Sequence, residues 1–187
     1  MEYLQQKSYV CAYGTLMSYN TNSLLNKTDS KLVKETTING FQIYANLANF
    51  IYPTLKEETT ATPVYVEIWE VDNTTLKLLD RYEGVDQELY KRSLITVDEL
   101  DCYIYEYNGR ITSNMIKLKN NNWLQFINDN EDDIRAFNFY SSEWYEMQEK
   151  EITETFCYNV NTGNIEQMHI SEIEDLIDNF SDKIKKY

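Results

Sequence analysis

From Ser8 to Gly109 the chain reads as short strands separated by turn residues, with one helical stretch among them. That succession confines it to a mostly antiparallel sheet, closed or half closed on itself. SYVCAYGTL (8–16) is an apolar run halted at Gly14, the pattern of a buried strand entering a loop. KLVKETTINGFQIYANL (31–47) alternates and contains Asn39-Gly40, which predicts two strands joined at a tight turn. IYPTLKEETTATPVYVEIWEV (51–71) predicts a loop carrying Pro53, an acidic and threonine-rich segment, and a strong strand from Val64 to Val71. DNTTLKLLDRYEG (72–84) predicts a short helix with Asn73 or Thr74 as N-cap, Leu76 and Leu79 inward with Leu78 a further candidate for that face, and Gly84 ending the last turn. LYKRSLITVDELDCYIYEYNG (89–109) predicts two alternating strands around a polar turn.

Beyond about residue 112 the character changes, and the expected division is a domain over 8–112 followed by an extension over 113–187. Residues 120–150 read as helical, with Trp123, Phe126 and Ile127 on one face and Ile134, Phe137 and Tyr140 or Tyr145 on another. FCYNVNTGNIEQMHI (156–170) predicts a hairpin turning at Asn161-Thr162-Gly163. The last stretch predicts a helix opened by a capping box of Ser171 with Glu174 and closed by lysines suited to the helix dipole. Its apolar faces, with Trp123, Phe126, Phe137 and Trp144, are expected to pack on the first domain, on a second copy in a homodimer, or on a partner protein.

Charge narrows the partners. With 31 acidic against 17 basic residues and a formal net charge of -14, the chain lacks the clustered lysines and arginines that nucleic acid or an anionic membrane demands. Cys11, Cys102 and Cys157 are widely spaced without a CxxC pair. The odd count, together with an N-terminal MEYLQQKSYV too polar for export and no stretch that could span a bilayer, gives the expectation of a reducing cytoplasm. A single histidine, His169, leaves little material for a metal site or a histidine-dependent triad, and it is read as a partly exposed residue at a strand end. No metal and no cofactor is expected.

Four stretches carry chemistry. AYGTL (12–16) sets a glycine and a hydroxyl residue directly after a buried strand, where successive backbone N–H groups can cradle a carboxylate or a developing oxyanion. IYP (51–53) adds Tyr52 beside a rigid proline, and LYKR (89–92) brings Tyr90 and Arg92. LLDRYEG (78–84) ends a helix on Glu83, although the helix dipole makes a carboxylate mildly unfavourable there. In this order and spacing, VCAYGTL, the YP segment, VYVEIWEV, LDRYEG and LYKR resemble the γ-glutamylcyclotransferase-like family, which includes γ-glutamylamine cyclotransferases and AIG2-like proteins.

The resemblance covers roughly residues 8 to 110 and implies an α+β fold, a small mixed and mainly antiparallel β-barrel with flanking helices. It also implies an activity. The α-amine of a γ-glutamyl amine or peptide attacks its own γ-carbonyl, giving 5-oxoproline and releasing an amine. Glu83 takes the place of the family's glutamate and would act as base and then acid, which requires burial to raise its pKa from the ordinary value of about 4.3 towards neutrality. Intramolecular attack explains why no Ser, Cys or His nucleophile is needed. By the same resemblance the backbone N–H groups around Tyr13, Gly14, Thr15 and Leu16 bind the glutamyl end, and Tyr52 and Tyr90 line the pocket. Arg92 shares a strand face with Tyr90, yet serves equally well as a surface ion-pair partner. The alternative from another class is a non-catalytic module that uses the same fold to bind a small molecule or a protein.

Overall fold

The computed structural model describes residues 7–59 and 62–186. Residues 1–6, read above for an export signal, and residues 60 and 61 of the threonine-rich stretch lie outside the described residues. In chain order the elements are β1 (Lys7–Ala12), β2 (Lys31–Ile38), β3 (Phe41–Leu47), β4 (Ile51–Glu57), β5 (Val64–Asp72), α1 (Asn73–Tyr82), β6 (Tyr90–Val97) and β7 (Leu100–Tyr107). They continue with β8 (Met115–Lys117), α2 (Trp123–Asp129), α3 (Glu131–Glu149), β9 (Glu154–Asn159), β10 (Asn164–His169) and α4 (Ile170–Ile184). Two compact units result, Met1–Ala45 with Pro53–Leu124, and Asn46–Tyr52 with Gln125–Tyr187.

The class is α+β with mainly antiparallel strands. They form a five-stranded sheet in the order β2-β5-β1-β7-β6, a three-stranded sheet β4-β3-β8 and the hairpin β9-β10. Among the described residues no ladder joins the outer strands β2 and β6, so the expected barrel is a set of open sheets rather than a closed ring. The reason lies at Asn39-Gly40. The tight turn is there, with Gly40 at φ +85°, but it sends the chain from the five-stranded sheet into the three-stranded one instead of closing a hairpin.

β1 is the middle strand. It runs antiparallel to β5, with Lys7 opposite Asp72 and Ala12 opposite Glu67, and parallel to β7, with Tyr9 opposite Cys102. Val10, Cys11 and Ala12 are all buried, as an unalternating apolar run requires. β6 and β7 form the expected hairpin, turning at Asp98 and Glu99 with φ of +48° and +70°, the left-handed pair of a tight primed turn. Beneath α1, the residues Val10, Ala12, Leu16, Met17, Trp69, Val71, Leu76, Leu79 and Tyr105 share one core.

Local chemistry moves several expected boundaries. The N-cap of α1 is Asp72, one residue before the expected Asn73 or Thr74, because its carboxylate reaches the Thr75 N–H at 2.7 Å. Leu76 and Leu79 face inward as expected, while Leu78 is 38% exposed. Gly84 ends the helix at φ +63°, and a Cβ there would stand 2.8 Å from the Leu89 side chain. Pro53 sits in strand β4 rather than in a loop. β4 is an edge strand, where a residue without an N–H breaks no ladder.

In the second unit Phe137, Tyr140 and Met147 of α3 and Ile173, Phe180 and Ile184 of α4 are buried, and the Tyr140 and Phe180 rings stack at 6.1 Å. Of the two tyrosines weighed for the α3 face, Tyr140 turns inward and Tyr145 outward. The capping box of α4 uses His169 and Glu172, not Ser171 and Glu174; the imidazole Nδ1 accepts from the Ser171 N–H at 3.2 Å. All three cysteines are buried free thiols.

One close approach joins two sequence motifs. A Cβ built on Gly14 would lie 2.1 Å from Cγ of Pro53, a ring that cannot rotate away. Gly14→Ala should therefore destabilise the protein by about 2 kcal/mol or more in urea unfolding, the scale of overpacking in a rigid site. The pair Gly14→Ala with Pro53→Ala should cost less than the sum of the two single changes. Full stability of Gly14→Ala would show that the contact is not tight in solution.

Candidate active site

Sheet topology gathers the motifs. Because β1 and β7 are parallel and β6 is antiparallel to β7, the end of β1, the end of β7 and the start of β6 share one end of the sheet. α1 begins at the opposite end, where Asp72 faces Lys7, and its ten residues run about 15 Å back along the sheet. Glu83, the residue that ends the helix, thereby arrives where the chain leaves β1 through Tyr13.

That exit is a tight turn. The Met17 N–H donates to the Gly14 carbonyl at 2.9 Å, a closure that does not use the N–H groups of the two central residues, Thr15 and Leu16. Asn20 holds the Thr15 carbonyl through its side-chain amide at 2.8 Å. Tyr13 is buried, and its hydroxyl donates to the Tyr105 carbonyl at 2.8 Å, so its side chain fastens the loop to β7. Burial raises the Tyr13 pKa well above the ordinary phenol value, and negative charge on Tyr90 or Glu83 would raise it further, which places all three groups within electrostatic reach of one another.

Glu83 is half-buried at the C-cap of α1. Among the described residues its carboxylate has no ion pair and no hydrogen-bond donor, and burial alone pushes its pKa from 4.5 up to about 7. The contrast with nearby acids is sharp. Asp80, one turn earlier, accepts from Arg92 at 2.6 Å and from the Tyr105 hydroxyl at 2.8 Å. Glu67, 1% exposed, accepts from the Ser18 N–H at 2.7 Å, the Ser18 hydroxyl at 2.5 Å and the Trp69 indole at 2.9 Å. The protein satisfies two of these carboxylates and leaves the third to its proton.

The other candidates fall as follows. Tyr90 is half-buried, directs its hydroxyl to the Pro53 carbonyl at a long 3.5 Å and packs edge-on against Tyr107 at 5.7 Å. Arg92 is committed to Asp80 and lies over the Tyr103 ring at 4.5 Å, the ion-pair role of the two left open to it. Tyr52 belongs to the second unit, where its hydroxyl accepts from the Asn46 amide at 2.7 Å. Sequence reading missed Asp80, Tyr105, Glu67 and Ser18. For Glu67 a signal existed: an acid in the middle of the apolar run VYVEIW. Among the described residues no cluster of His, Cys, Asp or Glu could hold a metal ion, and no helix is long and apolar enough to cross a membrane.

Fold and site define a small α+β protein with a half-buried carboxylate, unpartnered among the described residues, within electrostatic reach of a buried tyrosine at a strand exit. A family profile described as gamma-glutamyl cyclotransferase, AIG2-like, matches residues 10–125, from β1 through the start of α2. The chain belongs to that family. Among curated proteins no match is found. Solved structures share the fold: an uncharacterized protein of Pyrococcus horikoshii at 17% identity and TM-score 0.53, covering 66% of this chain and 96% of its own. Protein ytfP of Escherichia coli is 26% identical with a TM-score of 0.50 over 62% of this chain and 96% of its own. A uropathogenic E. coli-specific protein reaches a TM-score of 0.55 at 16% identity over 66% and 97%.

The raised Glu83 pKa has a consequence for stability. Below pH 4.5 both folded and unfolded chains hold the proton, and the carboxyl has no effect. Between 4.5 and about 7 the unfolded chain ionises first, so the folded state loses stability as pH rises, and above 7 the loss is constant. Glu83→Gln escapes this loss. Its stability relative to wild type should rise across that window and reach an advantage of about 1–3 kcal/mol above pH 7. Urea unfolding at several pH values measures it; a difference that does not vary with pH would mean that Glu83 titrates normally.

Proposed function

We propose that this protein is a γ-glutamyl cyclotransferase acting on a small γ-glutamyl amine or peptide, with Glu83 as its acid–base group. The observation that carries the reading is a half-buried carboxylate with no cation and no donor among the described residues, within electrostatic reach of Tyr13, which leads into a turn whose closing hydrogen bond does not use the Thr15 and Leu16 N–H groups.

The chemistry follows from these positions. A substrate enters with its α-amine as an ammonium, which has no lone pair. Glu83, as the carboxylate, takes one proton, and the neutral nitrogen attacks the γ-carbonyl carbon of the same molecule. A C–N bond forms, the carbonyl π electrons move to oxygen, and a five-membered tetrahedral intermediate results. The N–H groups of Thr15 and Leu16 are suited to receive either the substrate carboxylate or that oxyanion. The ring nitrogen, which still holds two protons after the attack, sheds one to solvent, and collapse breaks the bond to the departing nitrogen, which takes a proton from the Glu83 carboxyl as it leaves. The products are 5-oxoproline and a free amine, and Glu83 is again ready for the next ammonium. Holding the chain in its cyclising conformation provides much of the acceleration, since attack is intramolecular. A pKa near 7 suits one group to both halves of the cycle, because neither proton transfer is steeply uphill at neutral pH.

The test is a panel of γ-glutamyl amines and dipeptides scored for 5-oxoproline release. On a productive substrate the rate should rise with pH through an acid limb near 7, reporting ionisation of Glu83. Glu83→Gln should lower kcat by about 10²–10⁴-fold, abolish that limb and leave substrate affinity close to wild type. Unchanged turnover in Glu83→Gln would remove the role given to this carboxylate. A wild type that binds members of the panel and releases no 5-oxoproline would make the protein a binding module.

A further inference from the structure

We infer that Glu67 is the positioning residue of the substrate loop: its buried carboxylate holds residues 13–20 in the shape that binds the glutamyl end, without touching substrate itself. The inference rests on the cyclotransferase reading and extends it to a residue outside the motifs that led there.

Glu67 is an unusual residue to find in the middle of a central strand. It lies in β5 opposite Ala12, the last residue of β1, and is 1% exposed. A carboxylate so placed must be matched by donors, and among the described residues no lysine or arginine supplies them. The match comes from the loop. The two oxygens of a carboxylate accept paired N–H and O–H groups well, and Ser18 presents such a pair, its backbone N–H donating to Glu67 Oε2 at 2.7 Å and its hydroxyl to Oε1 at 2.5 Å. The Trp69 indole N–H at 2.9 Å adds a third donor from the same strand.

The turn itself is closed by short-range bonds. Met17 bonds back to Gly14, Asn20 to Met17, and the Asn20 amide to the Thr15 carbonyl. These bonds fix the loop's internal shape; the loop is tied to its surroundings by the buried Leu16 and Met17 side chains, by the Trp123 indole N–H on the Tyr19 hydroxyl at 2.8 Å, and by the fastenings of Tyr13 and Ser18. Tyr13, fastened to β7, is its anchor at one end. Ser18, fastened to Glu67, is the polar anchor that follows the turn, and the Thr15 and Leu16 N–H groups lie between the two. Two N–H groups aimed at one anion need both ends fixed, because a loop pinned at one end samples orientations in which only one of them points at the ligand. Glu67 removes that freedom before substrate arrives. Its charge faces Ser18 and Trp69 and is spent there, so it does not compete with the substrate carboxylate for the turn.

The test separates this role from general stability and from catalysis. Three variants are compared with wild type: Glu67→Gln, Ser18→Ala and Ser18→Thr. Ser18 is exposed, so its replacement leaves the core intact even where Glu67→Gln fails to fold. The γ-glutamyl substrate identified by the panel is the kinetic probe, and amide hydrogen exchange at Thr15 and Leu16 is the readout that needs no activity. Glu67→Gln and Ser18→Ala should raise KM about 10-fold, leave kcat and the acid limb unchanged, and speed exchange at Thr15 and Leu16 about 10-fold, with the β1 and β5 amides unaffected. Ser18→Thr, which keeps the hydroxyl, should restore both. An unchanged KM in Ser18→Ala, or exchange that does not quicken at the turn, overturns the inference while the cyclotransferase reading stands. A wild type inert on the whole panel overturns that reading and with it the loop's substrate role.

Discussion

A carboxylate withdrawn from water has three ways to exist: beside a cation, under a set of hydrogen-bond donors, or with its proton. This fold uses all three within a short stretch of structure. Asp80 has Arg92 and the Tyr105 hydroxyl, Glu67 has Ser18 and Trp69, and Glu83 has neither kind of partner among the described residues. The first two make the third feasible. Asp80 locks the last turns of α1 to β6 and β7, Glu67 locks the loop after β1, and Glu83 is carried to the place where those two rigid pieces meet. Its raised proton affinity follows from where it is held and requires no special neighbour.

Much of this depends on strand order. Only because β1 runs parallel to β7 does the exit of β1 share an end of the sheet with Tyr90 and Tyr105, and only because α1 doubles back along the sheet does Glu83 reach it. The contact between Gly14 and Pro53 is part of the same arrangement, since it lets a third strand approach the turn more closely than any side chain would allow. Packing therefore sets the electrostatics here. A loosened turn would admit water to Glu83, and its pKa would fall back towards an ordinary carboxylate's.

The elements themselves were largely readable in the sequence: the strands around YGTL and VYVEIWEV, the helix ending on Gly84, the β6–β7 and β9–β10 hairpins, and Glu83 as an acid misplaced at a helix end. What could not be read was pairing. Asn39-Gly40 predicts a turn correctly, yet nothing local says that the next strand joins another sheet. Pro53 looks like a loop residue until its strand proves to be an edge. The caps at Asp72 and His169 lie one and two residues before the expected ones, because a hydroxyl, an amide, a carboxylate and an imidazole all compete for the same first-turn N–H groups. The pairings of Asp80 and Glu67 were invisible for a deeper reason, although Glu67 itself stood out in its apolar run: Asp80 finds its partners 12 and 25 residues away and Glu67 finds Ser18 49 away, and the fold alone brings them together. A motif names a reactive residue; its supports are scattered along the chain.

The claim on which the rest turns is that Glu83 keeps its proton to near neutrality because it is withdrawn from water with no partner among the described residues. Carbon-13 NMR of the glutamate side-chain carboxyls, with the Glu83 signal identified by its loss in Glu83→Gln, measures this directly across pH 3 to 9. The account predicts that this one carboxyl titrates with a midpoint of about 7. A midpoint near 4.5, the ordinary value, would contradict it and leave Glu83 a solvated acid at the end of a helix.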